Sequence, residues 1–164
     1  MSSLITYYTW VGNTGVVANE IQRQTGFDIK KIEELKERKP GNFIGSAMGA
    51  VFNMKSKLKP FDFSLAGYDE IYLGVQVWAS KTTPAINTFL SKVDLKGKKV
   101  RLFITLADDK EPIKFIESVK NRVEKKGGVF VDSIFFTVSY VPGKTEVVSP
   151  EAVKDKIGSW LNKE

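Results

Sequence analysis

Three short stretches of this 164-residue chain hold the residue types that ligand binding needs. The first is Thr9-Trp10-Val11-Gly12-Asn13-Thr14, a hydroxyl-rich turn directly before a helical pattern. A helix start carries unpaired N–H groups and partial positive charge, Gly lets the backbone curl, and Thr hydroxyls add donors. The turn therefore suits a phosphate without any Lys or Arg. Asn13 and Thr14 would equally serve as ordinary helix caps. The second stretch, Gly74-Val75-Gln76-Val77-Trp78-Ala79-Ser80-Lys81, sets Trp78 just past an apolar run among small and polar residues. A ring there is badly placed for a core and well placed to cover a planar ligand; its other reading is a ring closing the rim of a sheet. The third, Thr105-Leu106-Ala107-Asp108-Asp109, offers backbone amides and two carboxylates.

What is missing narrows the chemistry further. The chain has 0 Cys and 0 His, which excludes disulfides, zinc and iron–sulfur sites, thiol nucleophiles and imidazole catalysis. No metal site is expected, and any reaction must use carboxylates, hydroxyls, lysines or a borrowed cofactor. The first loop is neither a Walker A motif, since no Gly-Lys-Ser/Thr follows, nor a dinucleotide fingerprint, since Gly12 and Gly15 do not give G-x-G-x-x-G. An aspartyl-phosphate receiver needs acidic residues where this chain has Tyr8 and Thr9.

These loops must be held by strands and helices, and the chain reads as an alternation of the two. Strands are predicted at Leu4–Tyr8, Phe27–Ile32, Ile71–Val75, Val100–Ile104 and Val129–Val138. Between them, Val16, Val17, Ala18 and Ile21 mark a helix over Gly12–Gln24, stopped by Thr25-Gly26. A second helix spans Gly41–Lys57, with Phe43, Ile44, Ala47, Met48, Val51, Phe52 and Met54 facing a core and Gly45 and Gly49 permitting close approach. A third opens at Thr83-Pro84, a fourth after Asp109-Lys110-Glu111-Pro112, and a last behind Ser149-Pro150-Glu151. Five strands and five helices in strict alternation imply a doubly wound parallel sheet, whose ligands sit beyond the carboxyl ends of the strands where strand order reverses. The three loops follow the first, third and fourth strands, so they converge there. A phosphate cradle, a flat aromatic and a polar wall together suit a flavin mononucleotide (FMN).

At this point the sequence resembles a known family. Thr9-Trp10-Val11-Gly12-Asn13-Thr14 resembles the T-x-T-G-N-T phosphate loop of flavodoxins, and Gly74-Val75-Gln76-Val77-Trp78-Ala79 resembles the G-x-P-x-W-A/G loop of flavodoxin-like proteins. Tyr68-Asp69, Pro84 to Leu90 and Lys96 to Val100 are also similar to that family, in the expected order. The resemblance implies one flavodoxin-like α/β domain over residues 1–164: a three-layer sandwich with a five-stranded parallel sheet of order 2-1-3-4-5 and helices on both faces. It implies FMN as cofactor, with Thr9, Gly12, Asn13 and Thr14 on the phosphate and Trp10 and Val11 in the same loop. Gln76, Val77, Trp78, Ala79, Ser80 and Lys81 would flank the isoalloxazine, and Leu106, Ala107, Asp108 and Asp109 would face its other side. Val11 replaces a hydroxyl residue, Gln76 stands where Pro is common, and the last loop lacks a stacking Tyr, departures that imply weaker binding or a more open flavin.

The implied function is electron transfer between protein partners, with the cofactor doing the chemistry. The alternatives are an FMN-dependent NAD(P)H oxidoreductase of the quinone-reductase type and a flavin-free interaction module of the same fold. Net charge is +6, opposite to the acidic habit of many flavodoxins, and favours anionic partners. The densest basic stretch, Lys92, Lys96, Lys98, Lys99 and Arg101, reads as a solvated loop and helix end rather than a nucleic-acid surface. No apolar run approaches the roughly 20 residues of a membrane helix and the start lacks an export signal, so a soluble, cytoplasmic monomer or weak dimer is expected.

Overall fold

The computed structural model describes residues 1–39, 48–139 and 147–163. Its elements run β1 (Ser3–Tyr7), α1 (Asn13–Thr25), β2 (Asp28–Lys31), β3 (Glu70–Trp78), β4 (Lys81–Thr82), α2 (Pro84–Lys92), β5 (Lys99–Leu106), α3 (Ile113–Lys125), β6 (Val129–Thr137) and α4 (Pro150–Leu161). The sheet has the order β2-β1-β3-β5-β6, every neighbour parallel, with the two-residue β4 pairing antiparallel to β3 off this path. The five parallel strands reproduce the expected 2-1-3-4-5 order; β4 is the addition. Reversal of direction lies between β1 and β3, as the doubly wound topology requires.

Each face of the sheet buries its own helices. Leu4, Leu73, Leu102 and Ile104 pack with Ile86, Phe89, Phe115 and Val119 on the side of α2 and α3. Ile5, Tyr72 and Phe103 pack with Val17, Ile21, Val153, Ile157 and Trp160 on the side of α1 and α4. Burial on both faces explains why Ile71–Val75 of β3 reads as an unbroken apolar run, and β1 is buried throughout as well. At the sheet centre Tyr7, Gly74 and Phe103 lie in register across β1, β3 and β5. A Cβ on Gly74 would meet the Phe103 ring at 2.3 Å and Tyr7 Cβ at 2.6 Å, so only glycine lets these strands stack with Phe103 folded over them.

Helix boundaries follow the signals in the sequence. Gly26, at φ 71, closes α1 and its N–H bonds back to Gln22 O. The Thr83 side chain caps α2 with Pro84 at its first position, and Ser149 caps α4 in the same way. The helix expected over Gly41–Lys57 falls largely on residues outside those described, including Phe43, Ile44, Gly45 and Ala47; residues 48–51 are helical. Its expected core role is corrected by Met48, Val51, Phe52 and Met54, which are all exposed, while Ala50 is buried. Gly49 does allow close approach, since a Cβ there would lie 3.2 Å from Pro84 Cγ. Among the described residues no helix is long and apolar enough to cross a membrane.

Candidate functional site

The first loop turns at Gly12, whose φ of 115 and ψ of −16 are open to glycine and costly for other residues. Thr9 Oγ1 accepts from the Gly12 N–H at 3.1 Å, and Val16 N–H returns to Gly12 O at 3.0 Å, so α1 starts immediately behind a tight curl. No side chain caps α1, which leaves the main-chain donors of its first turn for a ligand. Neither the Asn13 nor the Thr14 side chain caps α1. Asn13 Oδ1 accepts from Val148 N–H at 2.7 Å, and the Thr14 hydroxyl pairs with that of Thr105 at 2.8 Å, both hydroxyls buried. These two side chains tie α1 to the approach of α4 and to β5.

The second stretch is built differently from the loop that its composition suggests. Gln76, Val77 and Trp78 belong to β3, and Lys81 begins β4. Val77 faces Thr82 and Trp78 faces Lys81 across the ladder, so Ala79 and Ser80 alone make the turn. Both are left-handed, at φ 47 and φ 62, as a type I′ hairpin requires. An Ala-Ser pair lacks the Asn-Gly signature of that turn, which is why the hairpin was illegible in the sequence.

Trp78 lines the cavity as expected, but the expectation that its ring is badly placed for a core is corrected. It is 4% exposed and lies within the core cluster, because β3 runs on to carry it under the first loop. Trp10 packs on it edge-on, ring centroids 5.3 Å apart at 74°, and Tyr8 does likewise from 6.4 Å. The Arg38 guanidinium covers Trp78 from 5.6 Å and grips buried Glu34 with bonds of 2.8 and 3.0 Å. Glu34 also accepts from the Tyr8 hydroxyl at 2.8 Å. Burial first and the Glu34 charge second push the Tyr8 phenol far above its ordinary range, so it remains a neutral donor. Trp10 Nε1–H reaches Arg38 O at 3.3 Å, and Gln76 Oε1 accepts from Trp10 N–H at 2.9 Å. Gln76, where the resembled loop has Pro, thus fastens the first loop to the second.

These loops enclose a cavity of about 790 Å³ at the carboxyl ends of β1, β3 and β5, within the range of small-molecule sites. Trp10, Val11, Asn13, Gln76, Val77, Trp78, Ala79, Ser80, Lys81, Leu106, Ala107 and Asp108 all line it. Thr9, Gly12, Thr14 and Asp109 are absent from that lining. Asp108 is exposed, and the N–H of Lys110, at 3.0 Å, is the main cause holding its carboxyl below the usual range. Sequence reasoning missed Pro112, Ile113, Phe115 and Ser118 on one wall and Val138 and Ser139 on another. The helical stripe that places Ile113 and Ile116 on one face points to core, and only the fold shows that Ile113 is 59% exposed at the cavity rim.

A second recess, about 450 Å³, shares Ser80, Lys81, Phe115 and Ser118 with the first. Arg122 stands in it, half-buried, donating from one terminal nitrogen to Thr82 Oγ1 at 2.8 Å and Asn87 Oδ1 at 3.0 Å.

No protein-family model matches the chain, and no curated protein matches it. Solved structures do. A putative flavoprotein from Bacteroides uniformis is 18% identical with a TM-score of 0.78, covering 99% of this chain and 98% of its own. A flavoprotein from Lactobacillus acidophilus, solved in complex with FMN, is 18% identical with a TM-score of 0.68 over 96% and 98%. Oxidised flavodoxin 1 from Bacillus cereus is 17% identical with a TM-score of 0.56 over 100% and 99%. The architecture is therefore a flavodoxin-like α/β fold, spanning essentially the whole of each of these chains.

Proposed function

We propose that this protein binds FMN in the large cavity and carries electrons to and from partner proteins. One observation supports the reading above the others: an uncapped helix start behind Gly12 adjoins a cavity of about 790 Å³ walled by Trp10, the Ala79–Ser80 hairpin and the Leu106–Asp108 backbone. The residues present fit the cofactor's two ends. Main-chain N–H groups at the start of α1 would hold the phosphate, with the Thr9 hydroxyl beside them, since Thr9 Oγ1 uses only its acceptor side on Gly12. Trp10, half-buried, would flank the ring system, with Trp78 as the support beneath it. The Leu106–Asp108 strand end and the hairpin would exclude water from the two remaining sides. FMN supplies one- and two-electron chemistry that a chain without Cys or His does not have. The flavoprotein and flavodoxin neighbours, one of them solved with FMN, support the same reading.

The adjoining basic recess favours a second reading, an FMN-dependent oxidoreductase acting on a small molecule. The two are separated by mixing FMN-loaded protein with NADPH or NADH and a soluble quinone. The carrier reading expects no turnover by the protein alone, together with electron delivery from dithionite-reduced protein to an added haem protein. Steady quinone-dependent NADPH oxidation would replace it with the second reading.

A further inference from the structure

The recess beside the cavity gathers positive charge that the described residues do not balance. Lys55, Lys81, Arg122, Lys125 and Lys126 line it and, among the described residues, no carboxylate does. Among the described residues none of Lys55, Lys81, Arg122 and Lys125 has an acidic partner, and Lys126 Nζ is spent on Ser91 O at 2.7 Å. Arg122 differs from the surface lysines. It rises from α3 into the corner between β4 and α2, where Thr82 and Asn87 are buried. The corner is itself ordered: Thr82 Oγ1 donates to Asn87 Oδ1 at 2.5 Å, and Asn87 Nδ2 donates to Met54 O at 2.9 Å. Both Arg122 bonds leave from the same terminal nitrogen, so Nε–H and the second terminal nitrogen remain as a two-pronged donor edge. Desolvation of this half-buried group holds the guanidinium's pKa below its ordinary value.

A half-buried guanidinium without a carboxylate pays desolvation for no ion pair, and four further ammonium groups around one concavity repel it. Holding the β4–α2 corner to α3 would need only a neutral donor. We propose that the Arg122 recess is a second binding site that takes the oxyanion group, phosphate or carboxylate, of a small molecule. The free edge of Arg122 meets two of the oxyanion's oxygens, and Lys81 and Lys125 neutralise the remaining charge. Because Ser80, Lys81, Phe115 and Ser118 belong to both spaces, the rest of that molecule extends toward the large cavity. A concavity of about 450 Å³ favours a small ligand over the flatter surface of a protein. The site does not depend on what fills the large cavity.

The test is calorimetric titration with inorganic pyrophosphate and, separately, citrate, on the full chain both unliganded and saturated with FMN. Saturation fills the phosphate-binding start of α1, so heat that persists belongs to the recess. Wild type is expected to bind at least one of the two anions in both states, more weakly as salt rises; the tighter one tells phosphate from carboxylate. Arg122→Gln should weaken binding at least about tenfold, Arg122→Lys less, and Lys125→Glu, an exposed change that keeps the fold, several-fold. No binding by wild type, or unchanged binding in Lys125→Glu together with any folded Arg122 variant, overturns the proposal. Binding of a poly-glutamate peptide with neither small anion overturns it too, in favour of an acidic protein surface. Loss of FMN binding with intact pyrophosphate binding would reject the flavin reading and leave this one standing.

Discussion

The Ala79–Ser80 turn makes a quantitative prediction about stability. Both residues are exposed and left-handed, at φ 47 and φ 62. An L-residue with a Cβ in that region costs roughly 1–2 kcal/mol relative to its preferred wells. Replacing the pair by Asn-Gly removes most of the penalty at both positions, while the glycine gives back about 0.4–1 kcal/mol by loosening the unfolded chain. The net expectation for Ala79→Asn with Ser80→Gly is a gain of about 1–2 kcal/mol. For a chain of this length each kcal/mol moves Tm by about 2–4 °C, so Tm should rise by about 2–8 °C. Thermal unfolding followed by far-UV circular dichroism on unliganded protein reads this directly, with urea midpoints as a check. Ser80→Val, β-branched and unable to relax there, should lower Tm. A double variant that melts at or below wild type would show that the hairpin does not hold these residues left-handed. If flavin affinity falls while stability rises, the strain also positions the cavity wall.

Three further expectations follow from particular contacts. Thr14→Val or Thr105→Val alone leaves one buried hydroxyl unpaired and should cost about 1–3 kcal/mol, whereas the double variant should recover most of that; a purely additive cycle in urea unfolding would deny the 2.8 Å pair. Glu20 is held at about 2 rather than 4.5, chiefly by its hydrogen bond from Arg23. Its contribution is present above about 4.5 and fades as pH falls toward 2, so Glu20→Gln should flatten the acid limb of urea midpoints measured between pH 7 and 2, and an unaltered limb would refute this. Trp10→Ala should weaken FMN and, because its half-buried ring packs on Trp78, cost some stability too, but less than Trp78→Leu, which should cost several kcal/mol on the order of other large-to-small core changes; comparing flavin titration with thermal melts for the two would reveal an exchange of roles.

Much of the fold was legible because its determinants are local. The apolar run Ile71–Val75 marks a strand buried on both faces, and Thr83-Pro84, Ser149-Pro150 and Gly26 punctuate helices by chemistry that acts within a few residues. The loops of the site were legible for the same reason, as stretches between such elements. What each side chain does there was not. Thr14 reads as a phosphate donor, and the sequence does not show that β5 brings Thr105 against its hydroxyl; Trp78 reads as a ligand cover outside the core, and the sequence does not show that β3 runs three residues past Val75, so that this ring lines the cavity and belongs to the core at once. Gln76, an apparent mismatch, gains its purpose only from Trp10, 66 positions away. Arg122 sits on a helix whose stripe of Val119 and Val123 points to packing, and its setting against Thr82 and Asn87, with no acidic partner among the described residues, is visible only once β4 and α2 stand beside it.

FMN binding through the phosphate is the central claim, and paired titrations of unliganded protein with FMN and with riboflavin, followed by flavin fluorescence, test it most directly. The ring systems are identical, so any difference belongs to the phosphate at the start of α1. Each hydrogen bond to a charged phosphate is worth about 1.5–3 kcal/mol, so the account predicts quenching by both with FMN at least about tenfold tighter. Equal affinities, or no quenching by FMN, would contradict it.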